Sequence, residues 1–100
     1  MSTQWIARRE AVNPRTEEDA AMAHRHLGRF TSFDAAVLGL MDALERERRA
    51  WLDLSMDAGA DRALAAWTRV AGQRSRDVEA TGRLVVEDED GLRYSLTRVG

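Results

Sequence analysis

The sequence predicts a single α+β domain over residues 1–100, mostly helical, with three helices followed by a C-terminal β-hairpin. A chain of 100 residues with 44% apolar residues and a net charge of −2 has enough apolar surface for one modest core and little charge to oppose compaction. Apolar residues recur with helical spacing between Asn13 and Glu79, and they alternate between Leu84 and Val99. We expect the last two helices to form a long antiparallel helical hairpin.

Residues 4–12 fit two interpretations. Ala, Arg and Glu in this segment favour a helix, whereas Trp5, Ile6 and Val12 favour a strand. Because a lone hairpin is marginally stable in water, we favour an N-terminal strand that joins the C-terminal hairpin. A dimer that completes the sheet is the alternative.

The first helix is predicted to begin at Asn13-Pro14, since Asn is a good N-cap and Pro suits the first helical position. Acidic residues then occupy the first turn, which the helix dipole favours. One helical face runs through Ala20, Ala23, Leu27 and Phe30. We expect this helix to end near Thr31-Ser32.

The second helix is predicted from Thr31 or Ser32, either of which can cap it, to about Leu54, a length of about 36 Å. Glu45 and Arg49 stand four residues apart with the acid first, the favourable order for an ion pair. Glu47 and Arg48 interrupt the apolar stripe, so we expect them to be paired rather than catalytic. Gly39 lowers helix propensity, which predicts a close contact with another helix there.

The third helix is predicted to follow a turn at residues 57–61 and to extend to about Glu79. A short turn makes long helices antiparallel neighbours. A fold about Ala58-Gly59 would bring Trp51 next to Trp67 and Glu47 near Arg74.

The hairpin is predicted over Leu84–Val99 with the three-residue loop Glu89-Asp90-Gly91. This loop pairs Val86 with Tyr94 and Leu84 with Leu96, which produces one apolar face, whereas a two-residue loop would mix the two faces. Gly91 would then adopt the left-handed conformation.

No motif indicates catalysis, a cofactor or a metal site, so we expect a protein that is not an enzyme. The chain has no Cys, and His24 and His26 would point in different directions on a helix. The acidic run that ends at Gly91 lacks the other ligands of a calcium loop and suits a solvated turn.

The apolar stripe of the second helix is wider than one neighbouring helix covers, which predicts a non-catalytic protein-interaction module, a regulator or adaptor. We expect it to form a homodimer or to bind another protein, since two-fold dimers are the commonest oligomers. The candidate interaction surface consists of Phe33, Val37, Met41, Trp51 and Leu52.

Two alternative functions rest on the basic residues, all fifteen of which are Arg, a bias typical of a high-GC bacterial or phage genome. Arg62, Arg69 and Arg76 recur every seven residues on the predicted third helix and form a candidate nucleic-acid stripe. A small phage-type protein that inhibits a host factor is the second alternative. We expect a cytoplasmic protein without a membrane span, because no apolar run is long enough and the N-terminus does not resemble a signal peptide.

Overall fold

The computed structural model describes residues 3–89 and 91–100, and it is α+β as the sequence predicts. The described residues form four helices, not three, and one antiparallel sheet with the strand order β2-β1-β4-β3. The elements are β1 (Gln4–Ala11), α1 (Glu17–Ala23), β2 (Arg25–Phe30), α2 (Phe33–Asp53), α3 (Asp57–Gly72), α4 (Arg76–Thr81), β3 (Arg83–Glu87) and β4 (Leu92–Val99).

The N-terminal segment is a strand, and the prediction that it joins the C-terminal hairpin is confirmed. β1 pairs with β4 along its whole length, from Gln4 opposite Val99 to Ala11 opposite Leu92. Its other edge pairs with β2, so β1 lies inside the sheet. The β-branched and aromatic residues of this segment therefore outweigh the helix propensity of its Ala, Arg and Glu residues.

The predicted first helix is wrong at its start and in its second half, since α1 begins at Glu17 and not at Asn13-Pro14, and Arg25–Phe30 forms strand β2. The helix is capped by Thr16, whose hydroxyl accepts a hydrogen bond from the Asp19 amide, and it ends after seven residues at Ala23. A helical face with two Ala residues buries little surface, whereas pairing with β1 satisfies the backbone and still lets Leu27 and Phe30 pack against the core.

Helix α2 begins as predicted, with the Ser32 hydroxyl accepting a hydrogen bond from the Ala35 amide. The close contact expected at Gly39 comes from an aromatic ring of β2 and not from a helix. A Cβ atom at Gly39 would lie 2.1 Å from Cζ of Phe30, so only glycine accommodates the ring in this position.

The predicted third helix is two helices. α3 ends at Gly72, and Ser75 caps the next helix by accepting a hydrogen bond from the Val78 amide. An N-cap residue has extended backbone angles, as Ser75 does with φ −146° and ψ 160°, so the chain leaves the helical path there.

The C-terminal hairpin has the predicted register, with Val86 opposite Tyr94 and Leu84 opposite Leu96. Gly91 adopts the left-handed conformation with φ +81°. The carboxylate of Asp88 accepts a hydrogen bond of 2.9 Å from the Leu92 amide and fixes the base of the loop. Asp90, the middle residue of the predicted loop, lies outside the described residues.

The helices pack on one face of the sheet, where the core lies. Alternate strand residues point to this face, and they are buried together with the inner faces of α2 and α3; the sheet contributes Trp5, Ala7, Leu84, Val86, Tyr94 and Leu96. The intervening residues, which include Arg8, Glu10 and Arg93, point to the opposite face.

Candidate interaction surface

The candidate interaction surface predicted from the sequence is divided between the core and the exterior. Phe33 and Val37 are 3% and 0% exposed, so they belong to the core and cannot contact a partner, which corrects the prediction for both residues. Met41 is partly buried against the same core. Leu52 is 42% exposed.

Trp51, the remaining residue of that set, packs across the turn of the helical hairpin. A Cβ atom at Gly59 would lie 2.6 Å from Cδ2 of Trp51, so the indole ring rests directly on the Gly59 backbone. The predicted neighbour Trp67 lies further along α3, about 12 Å of helix beyond Gly59.

The register of the helical hairpin differs from the prediction because the turn comes earlier in the chain. It lies between Asp53 and Asp57, where Ser55 has the left-handed φ of +58°. Arg74 pairs with Asp34 at 3.4 Å, so the predicted Glu47–Arg74 pair is wrong. The sequence-based register relied on Gly59 as the turn residue, but Gly59 is buried within the first turns of α3 under Trp51.

The Asp34–Arg74 contact brings the start of α2 next to the segment that follows α3. Near the other end of the hairpin Trp51 rests on Gly59, and Met41 and Trp67 lie about 15 Å and 12 Å of helix away from these two residues on α2 and α3. Met41 and Trp67 are therefore level with each other, and both are partly buried against the core.

A line of exposed apolar side chains runs along the solvent side of this contact. We call it the outer seam: Met41 and Trp67 form its floor, and its exposed members are Leu38 (52% exposed), Leu52 (42%), Met56 (50%) and Leu64 (43%). Leu38 and Leu52 are fourteen residues apart on α2 and thus share one flank, and Leu64 adjoins Trp67 on α3. Large side chains of this kind grouped on one surface are typical of a protein-protein contact.

Charged residues border the outer seam. On α2, Glu45 pairs with Arg48 at 3.2 Å and with Arg49 at 3.3 Å, and the second of these pairs is the predicted one. The Arg49 side chain is 73% exposed. On α3, Asp61 precedes Leu64 by three residues and lies between the seam and the groove beside the hairpin tip; it is exposed, and among the described residues it has neither a hydrogen bond nor an ion pair.

The three arginines of the candidate nucleic-acid stripe do not share one helix. Arg62 and Arg69 lie on α3, whereas Arg76 is the first residue of α4, beyond the break at Ser75. The Arg69 guanidinium donates a hydrogen bond of 2.7 Å to the main-chain carbonyl of Glu87, and Arg76 pairs with Glu79 at 2.6 Å. The predicted seven-residue repeat thus does not produce a continuous basic surface.

A groove of about 360 Å³ runs between α3 and the tip of the hairpin. Its lining carries both signs of charge, namely Arg62 and Arg69 together with Asp61, Asp88 and Glu89. A site with this balance offers no selective attraction for phosphate.

Glu47 is paired, as expected, within a polar cluster between α2 and the sheet. Its carboxylate accepts hydrogen bonds from the Tyr94 hydroxyl at 2.8 Å and from Nη1 of Arg9 at 3.4 Å. Arg9 also donates to the main-chain carbonyl of Ala23, which links α1 to the cluster. Burial, the charge of Glu47 and the hydrogen bond to it all raise the pKa of Tyr94. The sequence contains no signal for these partners, because β1, α2 and β4 meet only in the folded chain.

The two histidines are on extended chain and not on a helix, so the premise of their predicted orientation is wrong. His24 caps the C-terminus of α1 with extended angles, and His26 lies in β2. Among residues 3–89 and 91–100, no group of three His, Cys, Asp or Glu side chains is placed to hold a metal ion. Within the same ranges, no helix has both the length and the apolar character that crossing a membrane requires.

Compared with protein-family models, with curated proteins and with solved structures, the chain shows no significant match to any of the three. The geometry of the chain itself therefore carries the functional argument.

Proposed function

We propose that this chain is a non-catalytic protein-interaction module that forms a homodimer through the outer seam. The observation that carries the proposal is the alignment of Leu38, Leu52, Met56 and Leu64 beside the partly buried Met41 and Trp67. At about 25 cal/mol per Å², covering such side chains is a substantial driving force for association. A cytoplasmic regulator or adaptor is the role that we assign to this dimer.

Charge complementarity favours a second copy as the occupant. In the proposed dimer the two-fold axis is parallel to the helices, so that α2 of each copy packs on α3 of the other. The α2–α3 turns of both copies then lie at the same end of the dimer. Arg49 and Asp61 lie level along the hairpin, since the nearby Trp51 lies against Gly59. The exposed guanidinium of Arg49 in one copy would then face Asp61 in the other, and the pair would occur twice.

Light scattering after size-exclusion chromatography at micromolar concentration tests the proposal. We expect a mass twice the 11.2 kDa of one chain. Leu64→Glu should yield a monomer, because it buries a charge in the seam. Met22→Glu is the matched control, since Met22 is 66% exposed on α1, outside the seam, and this variant should remain a dimer.

A charge exchange tests the arrangement of the two copies. Arg49→Asp and Asp61→Arg should each weaken the dimer, and the double variant should restore it, because the ion pair is reversed and not lost. A wild-type protein that stays at 11.2 kDa up to high micromolar concentration would overturn the proposal. A mass that rises only when DNA is added, and falls with salt, would support the nucleic-acid alternative instead.

A further inference from the structure

The two edges of the sheet differ in how their main-chain groups are satisfied. At the β3 edge, alternate carbonyls accept hydrogen bonds from neighbouring side chains. The carbonyls of Val85 and Glu87 accept from the Gln73 amide (3.2 Å) and the Arg69 guanidinium (2.7 Å), and the Arg83 carbonyl shares the Thr81 hydroxyl (2.9 Å) with the Val78 carbonyl. These three contacts close the β3 edge against another strand.

The β2 edge has no equivalent cover by side chains, and the one irregularity along it is a register shift at Leu27 in its pairing with β1. β2 is the terminal strand of the sheet and pairs only with β1. In the part of the chain that the structure describes, no side chain forms a hydrogen bond with the main chain of residues 25–30. Its outward amides and carbonyls are therefore available to pair with an added strand.

The side chains around this edge are basic. Arg25, His26 and Arg29 are exposed on β2, and the register sets exposed Arg8 of β1 next to His26. β2 contains no acidic residue. The acids of α1 occupy its first turn, at the end of the helix away from β2. Arg29 donates a hydrogen bond of 2.8 Å to Gln4, which leaves its charge uncompensated.

We propose that the β2 edge binds an extended acidic segment of another protein as a fifth strand of the sheet. The main-chain groups of β2 would supply the hydrogen bonds, and Arg8, His26 and Arg29, which the register places on one face of the sheet, would select acidic side chains at alternate positions. A second copy of this chain is not the occupant, because pairing two β2 edges would bring two rows of basic side chains together with no acidic residue on either strand, and like charges opposite each other are destabilising.

Fluorescence anisotropy at low salt tests the proposal with a labelled peptide of alternating Val and Glu, about six residues long, the usual length of a strand. We expect this peptide to bind, and a peptide with Lys in place of Glu not to bind. A Val-Glu peptide with alternate amides N-methylated should also fail, since it cannot donate the main-chain hydrogen bonds. Amide chemical shifts should change at residues 25–30.

Variants locate the binding edge. Arg29→Glu should weaken peptide binding about tenfold, because it replaces an attractive charge by a repulsive one. Arg83→Glu is the matched control, since Arg83 is equally an exposed arginine but lies on the protected β3 edge, and binding should change little. Thermal unfolding of both variants followed by circular dichroism shows whether they retain the fold.

Several outcomes would overturn the proposal. Equal binding of the N-methylated peptide would show attraction to charge without strand addition. An equal loss in Arg83→Glu would place the site elsewhere, and tighter binding of a single-stranded oligonucleotide would make the basic edge a phosphate site. If no acidic peptide binds, the arginines only prevent β2 from pairing with other chains.

Discussion

The carboxylate of Glu47 lies within the apolar stripe of α2, where an unpaired charge would be costly. Its side chain is 21% exposed and that of Arg9 is 20% exposed, so water reaches the pair only in part. The Tyr94 hydroxyl completes the cluster and donates the shorter of the two hydrogen bonds from the sheet to Glu47 of α2. The cluster therefore connects β1, α2 and β4, which are distant from one another in the chain.

Removing the Glu47 carboxylate should therefore cost more stability than removing a surface carboxylate. We expect Glu47→Ala to lower the free energy of unfolding by about 1–3 kcal/mol, since the Tyr94 hydroxyl loses its acceptor. Glu45→Ala is the control on the same helix, and it should cost less than about 1 kcal/mol because its pairs are more exposed. Urea unfolding measures both values, and equal losses would contradict the role of the cluster.

Tyr94 is the single tyrosine of the chain, so its ionisation can be followed without interference. Burial first, and then the charge of Glu47, raise its pKa above the ordinary value of 10.0. The unfolded chain releases this proton near pH 10 and the folded chain retains it. The stability contributed by the protonated form is therefore complete below pH 10 and is lost as the pH rises above it.

We expect tyrosinate absorbance to appear well above pH 10 and together with the loss of circular dichroism. Glu47→Gln should shift the ionisation of Tyr94 to lower pH, because it removes the negative charge that opposes formation of the tyrosinate. Ionisation near pH 10 with an intact circular dichroism spectrum would contradict the buried environment of Tyr94.

At the scale of elements, the contact between Gly39 and Phe30 attaches β2 to α2. The ring of Phe30 occupies the space that a side chain at position 39 would need. Local sequence preferences would place Phe30 on a helix with Ala20, Ala23 and Leu27. The contact with β1 and the groove at Gly39 favour the strand, because they satisfy the backbone and bury the ring together.

Gly39→Ala tests this contact. Replacing Gly by Ala in a helix normally stabilises it by up to about 1 kcal/mol. Here we expect a loss of about 1–3 kcal/mol in the free energy of unfolding, since the new methyl group displaces the Phe30 ring.

Gly72→Ala is the matched control, because a Cβ atom there meets nothing within 4 Å. Its stability should be unchanged or slightly increased. In a background with Phe30→Leu, the cost of Gly39→Ala should fall, which a double-mutant cycle measures. Equal effects of the two Gly→Ala changes would show that the ring does not occupy this position.

At the scale of the whole molecule, β1 connects the two halves of the chain. It pairs with β2 on one edge and with β4 on the other, and its Trp5 is 2% exposed in the core. The Trp5 and Phe33 ring centroids are 5.0 Å apart, and the Arg98 guanidinium lies 5.9 Å from the centroid of the indole. The first strand, the longest helix and the last strand thus meet at one residue.

Trp5→Ala should destabilise the whole molecule rather than one end of it. We expect a loss of about 3–5 kcal/mol, the usual cost of removing a large buried aromatic ring. Unfolding followed by circular dichroism and by the fluorescence of the other two tryptophans should show one common transition. Val99→Ala, at an exposed position on the same sheet, should change stability by less than about 0.5 kcal/mol. Two separate unfolding transitions in Trp5→Ala would contradict the role of Trp5 in holding the first strand, the longest helix and the last strand together.

Features that depend on near neighbours in the chain could be predicted from the sequence. The α+β class, a cap of α2 at Thr31 or Ser32 and the hairpin register at Val86 and Tyr94 follow from local periodicity and turn chemistry, and the structure has the cap at Ser32 and that register. The tertiary structure alone decided that Arg25–Phe30 is a strand, that the hairpin turns at Ser55, and that Phe33 and Val37 are core while Leu38 and Leu64 are exposed. These outcomes depend on contacts between residues distant in the chain, whose energies exceed the small local preferences for helix or turn.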